Sequence, residues 1–299
     1  MSNWLILALL APALAGLINF IDTYALNQVR DYRGMPIYGA VVAAIFGTAF
    51  WLATGRPVPS VYDGSIMIVT GVLMFYALIS YFKALSLTET SRISILAQLT
   101  PVMILGSSFL VHGETLTTGQ LAGFVVVLAA VVGLSWKPGT AHIRLEPYFY
   151  FVLLSDAFLA AAAVIVKFAS NINSFGAILS YQSWGIFLGG LTLLVFPSVR
   201  HAFIASLGNA GPRVLPIMFV NEILFIASKA MTSQAFIVGP VALVSVLGTT
   251  QAFYAIFYGW TFTLTAPSVF REDISGAGLA KKTVTSGVLL AGIWLIYRS

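Results

Sequence analysis

Long apolar stretches alternate with short polar turns along the whole chain. A helix needs about 20 mainly apolar residues to cross the hydrocarbon core of a bilayer. Ten stretches meet that pattern, at 4–26, 36–53, 65–85, 91–111, 116–136, 148–169, 174–196, 215–236, 238–264 and 282–297. The connections are brief and rich in Gly, Pro and Asn, as at 31–36, 54–59, 137–139, 171–173 and 207–212. The longest runs from Thr265 to Lys281. None is long enough to fold as a domain, so any chemistry must sit among the helices. Near the start, Ala13-Leu14-Ala15 faintly resembles a signal-peptidase site. No Lys or Arg precedes it and the apolar stretch continues to Leu26, so a retained first span is expected.

Composition reinforces the pattern. Of the 299 residues, 59% are hydrophobic and 8% charged, with a mean hydropathy of +0.94. A soluble domain runs to about a quarter charged. The expectation is therefore an all-α integral membrane protein, and the composition excludes a disordered chain or a nucleic-acid-binding domain. The net charge of +5 does not point to nucleic acid, because the 15 Lys and Arg form no basic run. Cysteine is absent, which removes disulfides and thiolate chemistry. His112, His142 and His201 lie far apart, so no metal centre is expected, and no other cofactor is implied.

The ten stretches can be tested as five plus five. At an offset of about 151 residues, Phe82-Lys83-Ala84-Leu85 faces Ser233-Gln234-Ala235-Phe236, and Ser94-Ile95-Leu96 faces Ser245-Val246-Leu247. With about a dozen more residues from the long connection, Gly123-Phe124-Val125 faces Gly287-Val288-Leu289. Asp22 in the first stretch stands opposite Lys167 in the sixth. An odd number of spans per repeat places the two halves in opposite orientations. The layout expected is ten transmembrane helices as two inverted five-helix repeats around a central cavity. The first repeat covers 1–136, a linker 137–147, and the second repeat 148–299.

The segment from Gly64 to Trp136 carries a recognisable pattern. Ala84-Leu85 is followed by Thr90 through Leu99, then Pro101, then Gly113-Glu114-Thr115-Leu116-Thr117, then Gly119-Gln120-Leu121-Ala122-Gly123. This resembles the EamA-type repeat of the drug/metabolite transporter superfamily. The second half fits it more loosely, with Ala252 in place of the proline and Arg271-Glu272-Asp273-Ile274-Ser275 in place of the Glu link. The resemblance implies a secondary transporter. It implies that spans one, three, four, six, eight and nine surround the cavity, with five and ten outside. It names no substrate and no catalytic residue.

Charged side chains inside spans cost several kcal/mol unless they face a cavity or a partner. Glu222 and Lys229 are two turns apart on one face of the eighth stretch, beside Asn221 and Ser228, and form its most polar segment. They are the first candidates for proton or substrate binding. Asp22, with Asn19 a turn before it, is a second candidate. Lys167 and Asp156 share a face of the sixth stretch, with Asp156 expected near the interface beside the helix start. Gln98 and Thr100 beside Pro101, and Thr249, Thr250 and Gln251 in the ninth stretch, fall at matching depths and are candidate cavity residues. Lys83, Glu89 and Arg92 lie near helix ends, where they can snorkel to water. Glu114 reads as structural, next to a capping box at Thr117 to Gln120. Gly119 with Gly123, and Gly185 with Gly189, read as helix-packing devices.

Eleven of the Lys and Arg fall in the odd-numbered connections, from Arg30 to Lys282, and three on the other side: Arg56, Lys167 and Arg298. The positive-inside rule then puts both termini outside the cytoplasm, whereas the resembled family usually has both inside. With no Walker-type phosphate loop, energy would come from an ion gradient or the substrate's own gradient. The expectation is a secondary transporter, read as an exporter, that moves a small polar metabolite such as an amino acid across a bacterial inner membrane by alternating access. It would act as a monomer or homodimer and could be coupled to protons. A lipid-intermediate flippase or channel-like permease is the alternative; a membrane-embedded enzyme is disfavoured because no acid–base or nucleophile set is visible.

Overall fold

The structure, a computed structural model, describes residues 3–29, 31–112, 117–135, 145–166, 175–238 and 241–298. In chain order the helices are α1 (Asn3–Val29), α2 (Met35–Ala53), α3 (Val61–Leu85), α4 (Thr90–Leu96), α5 (Thr100–His112), α6 (Thr118–Ser135), α7 (Pro147–Val166), α8 (Phe175–Leu194), α9 (Pro197–Asn209), α10 (Gly211–Val238), α11 (Val241–Gly248), α12 (Gln251–Thr265) and α13 (Gly276–Arg298). A 3-10 turn, Ala97–Leu99, joins α4 to α5. Among the described residues, seven helices are long and apolar enough to cross a membrane: α1, α2, α3, α7, α8, α10 and α13.

Local sequence explains the helix ends. Ser60 caps α3 by accepting from the Asp63 N–H at 3.1 Å and donating to its carboxylate at 2.7 Å. The expected capping box opens α6: the Thr117 N–H donates to the Gln120 side chain at 2.9 Å, and the Gln120 N–H to the Thr117 hydroxyl at 3.2 Å. Pro36 sits in the first turn of α2, where its missing N–H costs nothing. That helix ends through Gly55 and Arg56, both at positive φ (83° and 57°).

Several expected spans are corrected. The fourth and ninth are each broken rather than continuous. In the fourth, Pro101 has no N–H to continue the ladder, and the Thr100 N–H turns back to the Ala97 carbonyl. In the ninth, the Thr249 and Thr250 hydroxyls donate to the carbonyls of Val246 (2.7 Å) and Leu247 (2.6 Å), competing with the helical bonds. The two breaks lie at the positions that the 151-residue offset superimposes. The connection expected at 207–212 is not a loop: α9 and α10 meet there through Ala210, and α10 begins at Gly211 rather than Leu215. The last helix begins at Gly276, so the long connection is shorter than expected.

Packing partners exchange between halves. α1 packs on α10 and α12; α7 packs on α3 and α5. α2 lies against α8, and α6 against α13. Two of these seams depend on glycine. A Cβ on Gly185 would stand 2.2 Å from the Ile68 carbonyl of α3, and one on Gly71 2.1 Å from the Gln182 carbonyl of α8. A Cβ on Gly123 would meet the Gly292 carbonyl at 2.5 Å. The packing role expected of Gly185, Gly189 and Gly123 is therefore observed. α6 and α13 present Leu121, Val125, Val284 and Val288 outward, as suits helices facing lipid.

Candidate functional site

Four helices bring polar side chains to one buried place. Asp22 of α1 is buried, and its Oδ1 accepts from the Asn221 amide of α10 at 2.8 Å. The Tyr81 hydroxyl of α3 stands 3.2 Å from Asp22 Oδ2 and 3.3 Å from Asn19 Oδ1. The Asn19 amide donates to the Ser94 hydroxyl of α4 at 2.7 Å. One turn further along α1, the Thr23 and Thr90 hydroxyls share a hydrogen bond of 2.6 Å. Asn221 keeps its amide oxygen buried with no partner. Buried polar groups are ordinarily satisfied, and among the described residues no donor reaches this oxygen.

A cavity of about 750 Å³ opens beyond the Thr23–Thr90 pair. Its lining includes Thr23, Asn27, Glu89, Thr90, Arg271 and Glu272, from the end of α1, the α3–α4 turn and the α12–α13 connection. It is a polar vestibule on the face that carries the odd-numbered connections. The Thr23–Thr90 and Asn19–Ser94 bonds close the seam between α1 and α4, separating that vestibule from Asp22.

Glu222 and Lys229 of α10 are half-buried. Both line a narrow cleft of about 20 Å³ between α2, α3, α8 and α10, room for about one water. Lys229 Nζ donates to Gln182 Oε1 at 3.3 Å, and the Gln182 amide donates to the Thr70 hydroxyl at 3.3 Å. Glu222 is an electrostatic neighbour of both Lys229 and Asp22. α10 therefore carries two adjoining polar levels, Asn221 toward Asp22 and Glu222 with Lys229 toward α8. Ser228 of the same helix donates to the Ala11 carbonyl of α1 at 2.9 Å.

The remaining candidates separate. Gln98 is buried, but its amide donates back to the Ser94 carbonyl of its own helix at 3.1 Å. Gln251 opens α12, just after the break, and is half-buried. Lys167, His142 and Glu114 lie outside the described residues. Asp156 is not the interfacial helix-start carboxylate expected: it lies mid-way along α7, 1% exposed, and accepts from the Thr100 hydroxyl at 2.7 Å. The helix begins at Pro147, so the first turn is too far away to solvate it.

A second charged cluster was not anticipated. Lys282 of α13 is 2% exposed. Its ammonium pairs with Glu89 and, at 3.0 Å, with Glu272, and donates to the Asp273 carbonyl at 3.3 Å. Glu272 in turn accepts from the N–H, at 3.1 Å, and from the hydroxyl of Ser91, in the first turn of α4. The Asp273 N–H donates to Glu89 at 2.8 Å, and Arg92 lies 3.1 Å from the other Glu89 oxygen. The cluster thus ties the start of α4 to the start of α13. Burial pushes the Glu89 carboxyl up, but the Lys282 ammonium, the Asp273 N–H and Arg92 outweigh it and hold it below the usual range. Burial raises Glu272 against the pull of Lys282. Glu89 and Arg92 are therefore not snorkelling groups. Spacing could not reveal this, because the partners are 193 residues apart.

Seven long apolar helices among the described residues, with polar groups buried between them, mark a multi-pass integral membrane protein. Residues 2–136 match the model of the EamA-like transporter family. It is a family of transporters, not of enzymes. A solved structure described only as "Crystal structure of protein" aligns over 97% of both chains, at 20% identity and a TM-score of 0.50. That likeness concerns the fold alone. The search of curated proteins found no match.

Proposed function

We propose that this chain is a secondary transporter that exports a small polar metabolite, such as an amino acid, by alternating access between two inverted five-helix repeats, 1–136 and 148–299. The observation that carries this reading is the row of hydrogen-bonded polar side chains Asp22, Asn221, Tyr81, Asn19 and Ser94, buried or half-buried at the floor of the vestibule. Helices of both halves contribute to it. Asp22 and the unpaired Asn221 oxygen suit an ammonium group, and Lys229 suits a carboxylate, so a zwitterion is the favoured cargo. The exchange of packing partners between halves, and the matching breaks in the fourth and ninth spans, support ten crossings built as a repeat. The closed α1–α4 seam suits a state open to one side.

In this reading Glu222 is the proton-coupling acid. Glu222→Gln should abolish proton-driven uptake in proteoliposomes while leaving substrate exchange intact; undiminished coupling removes Glu222 from that role. The cargo itself is sought by thermal stabilisation of the purified protein with amino acids, sugars, nucleosides and cationic drugs. A lipid substrate has one observation in its favour, an apolar groove of about 400 Å³ between α1, α10 and α12; stabilisation by lipids alone would support the flippase instead.

The inner membrane of a bacterium is the proposed location, with both termini on the side away from the cytoplasm. Alkaline phosphatase fused to the C-terminus should be active in cells; an inactive fusion with a fluorescent cytoplasmic counterpart reverses the orientation.

A further inference from the structure

The polar row does not use Asp156. This residue is buried in the middle of α7, where its Oδ1 accepts from Thr100 at 2.7 Å and its Oδ2 is buried with no partner. α7 packs against α3, α4, the 3-10 turn and α5. The charged and titratable side chains of those elements are engaged elsewhere. On α3, Lys83 stands over the rings of Tyr32 at 4.4 Å and Phe151 at 5.9 Å. Tyr76 shares a hydrogen bond with Thr192, Tyr81 faces Asp22 and Asn19, Asp63 pairs with Ser60, and Tyr62 is exposed. On α4, Arg92 pairs with Glu89. The side chain of His112 on α5 lies outside the described residues.

A lone carboxylate charge in such a place is heavily penalised, because burial removes it from bulk solvent and no cation among the described residues pairs with it. A metal ion would need several further oxygen ligands, and among the described residues no cluster of acids or histidines stands ready to hold one. A proton needs a single lone pair, and Oδ2 offers it. We propose that Asp156 is a proton-binding site, distinct from the Asp22 and Glu222 levels, that reads out at the break in the fourth span. The link is Thr100. This residue ends the 3-10 turn and begins α5, Pro101 follows it, and the same broken span carries Ser94 to the polar row. Binding a proton at Oδ2 removes the charge that Thr100 serves, weakening the bond that holds the break against α7. Among the described residues no such group stands at the break of the other half: that break meets α1, whose one acid, Asp22, is engaged with Asn221 and Tyr81. The site itself stands independently of the proposed cargo; only its use in coupling rests on the transporter reading.

The test uses the full-length protein reconstituted in lipid, with protons as the only probe. Infrared difference spectra between acidic and alkaline buffer should contain a protonated-carboxyl band that Asp156→Asn removes. Asp22→Asn and Glu222→Gln should leave it, Asp156→Glu should retain it at a displaced position, and Thr100→Val should shift it. Circular dichroism and the melting temperature confirm that each variant is folded. If folded Asp156→Asn keeps every band of the parent, the proposal is overturned. A band that behaves as expected in a protein that transports nothing overturns the proposed function and leaves the site standing.

Discussion

Lys282→Met should be the most damaging single substitution at the membrane face, costing about 3–5 kcal/mol of stability. Lys282 is the cation on which Glu89 and Glu272 converge, and it is almost wholly enclosed. Removing it leaves two carboxylates facing one another with little solvent between them. The loss should appear as a large drop in melting temperature in detergent. The triple substitution Lys282→Met, Glu89→Gln, Glu272→Gln should regain most of it, because neutral residues of similar shape carry no desolvation debt. An equal drop for single and triple variants would mean that packing, not charge, makes the cluster matter. The cluster also sets an acid limit. Glu89 is held below its usual range, so its contribution is complete above the unfolded value of about 4.3 and fades as the pH falls through its lower folded value. Glu272 is raised, so its burden eases on the same descent. Thermal scans from neutral to acid pH should therefore show a flatter acid limb for Glu89→Gln and a steeper one for Glu272→Gln.

Gly185→Val should prevent α3 and α8 from closing. A single Cβ there would stand 2.2 Å from a backbone carbonyl, which cannot rotate aside as a side chain can. The penalty should exceed about 3 kcal/mol, beyond the ordinary range for an overfilled core. Size-exclusion profiles should show aggregation or sharply reduced recovery. Gly133→Val and Gly287→Val provide the comparison, since nothing lies within 4 Å of the new Cβ at either position. If all three variants behave alike, close approach is not what fixes the seam.

The hydrophobic pattern made the long helices legible, because length and apolarity are one-dimensional properties. The breaks were less so. Pro101 announced itself, but Thr249 and Thr250 broke their helix through side-chain bonds that a hydropathy profile reads as mild polarity. Asn221 and Asp22 were both visible as polar residues in apolar stretches, yet their pairing spans 199 residues and needed the fold. Asp156 and Lys282 were misread for different reasons: the helix of Asp156 starts at Pro147, one residue from where it was expected, yet nine residues of helix carry the carboxylate well inside, whereas the helix of Lys282 starts six residues earlier than expected. For Lys282 that shift is enough to move a charge from water to the interior. The Glu89–Lys282–Glu272 cluster was hidden for another reason: each member, taken alone, looks like an ordinary charge at the end of a span.

The Thr23–Thr90 contact has an electrical consequence. Moving one elementary charge across a membrane held at 100 mV is worth about 2.3 kcal/mol, and a row of buried polar side chains is a ready conductor if water fills it. Two small hydroxyls, Thr23 and Thr90, in a 2.6 Å bond stand between the vestibule and that row, whose Asn19–Ser94 bond lies one turn deeper. Under the proposed function the seam is thus electrical insulation as well as a wall of the site, and a variant that opens it too readily would leak ions across the membrane.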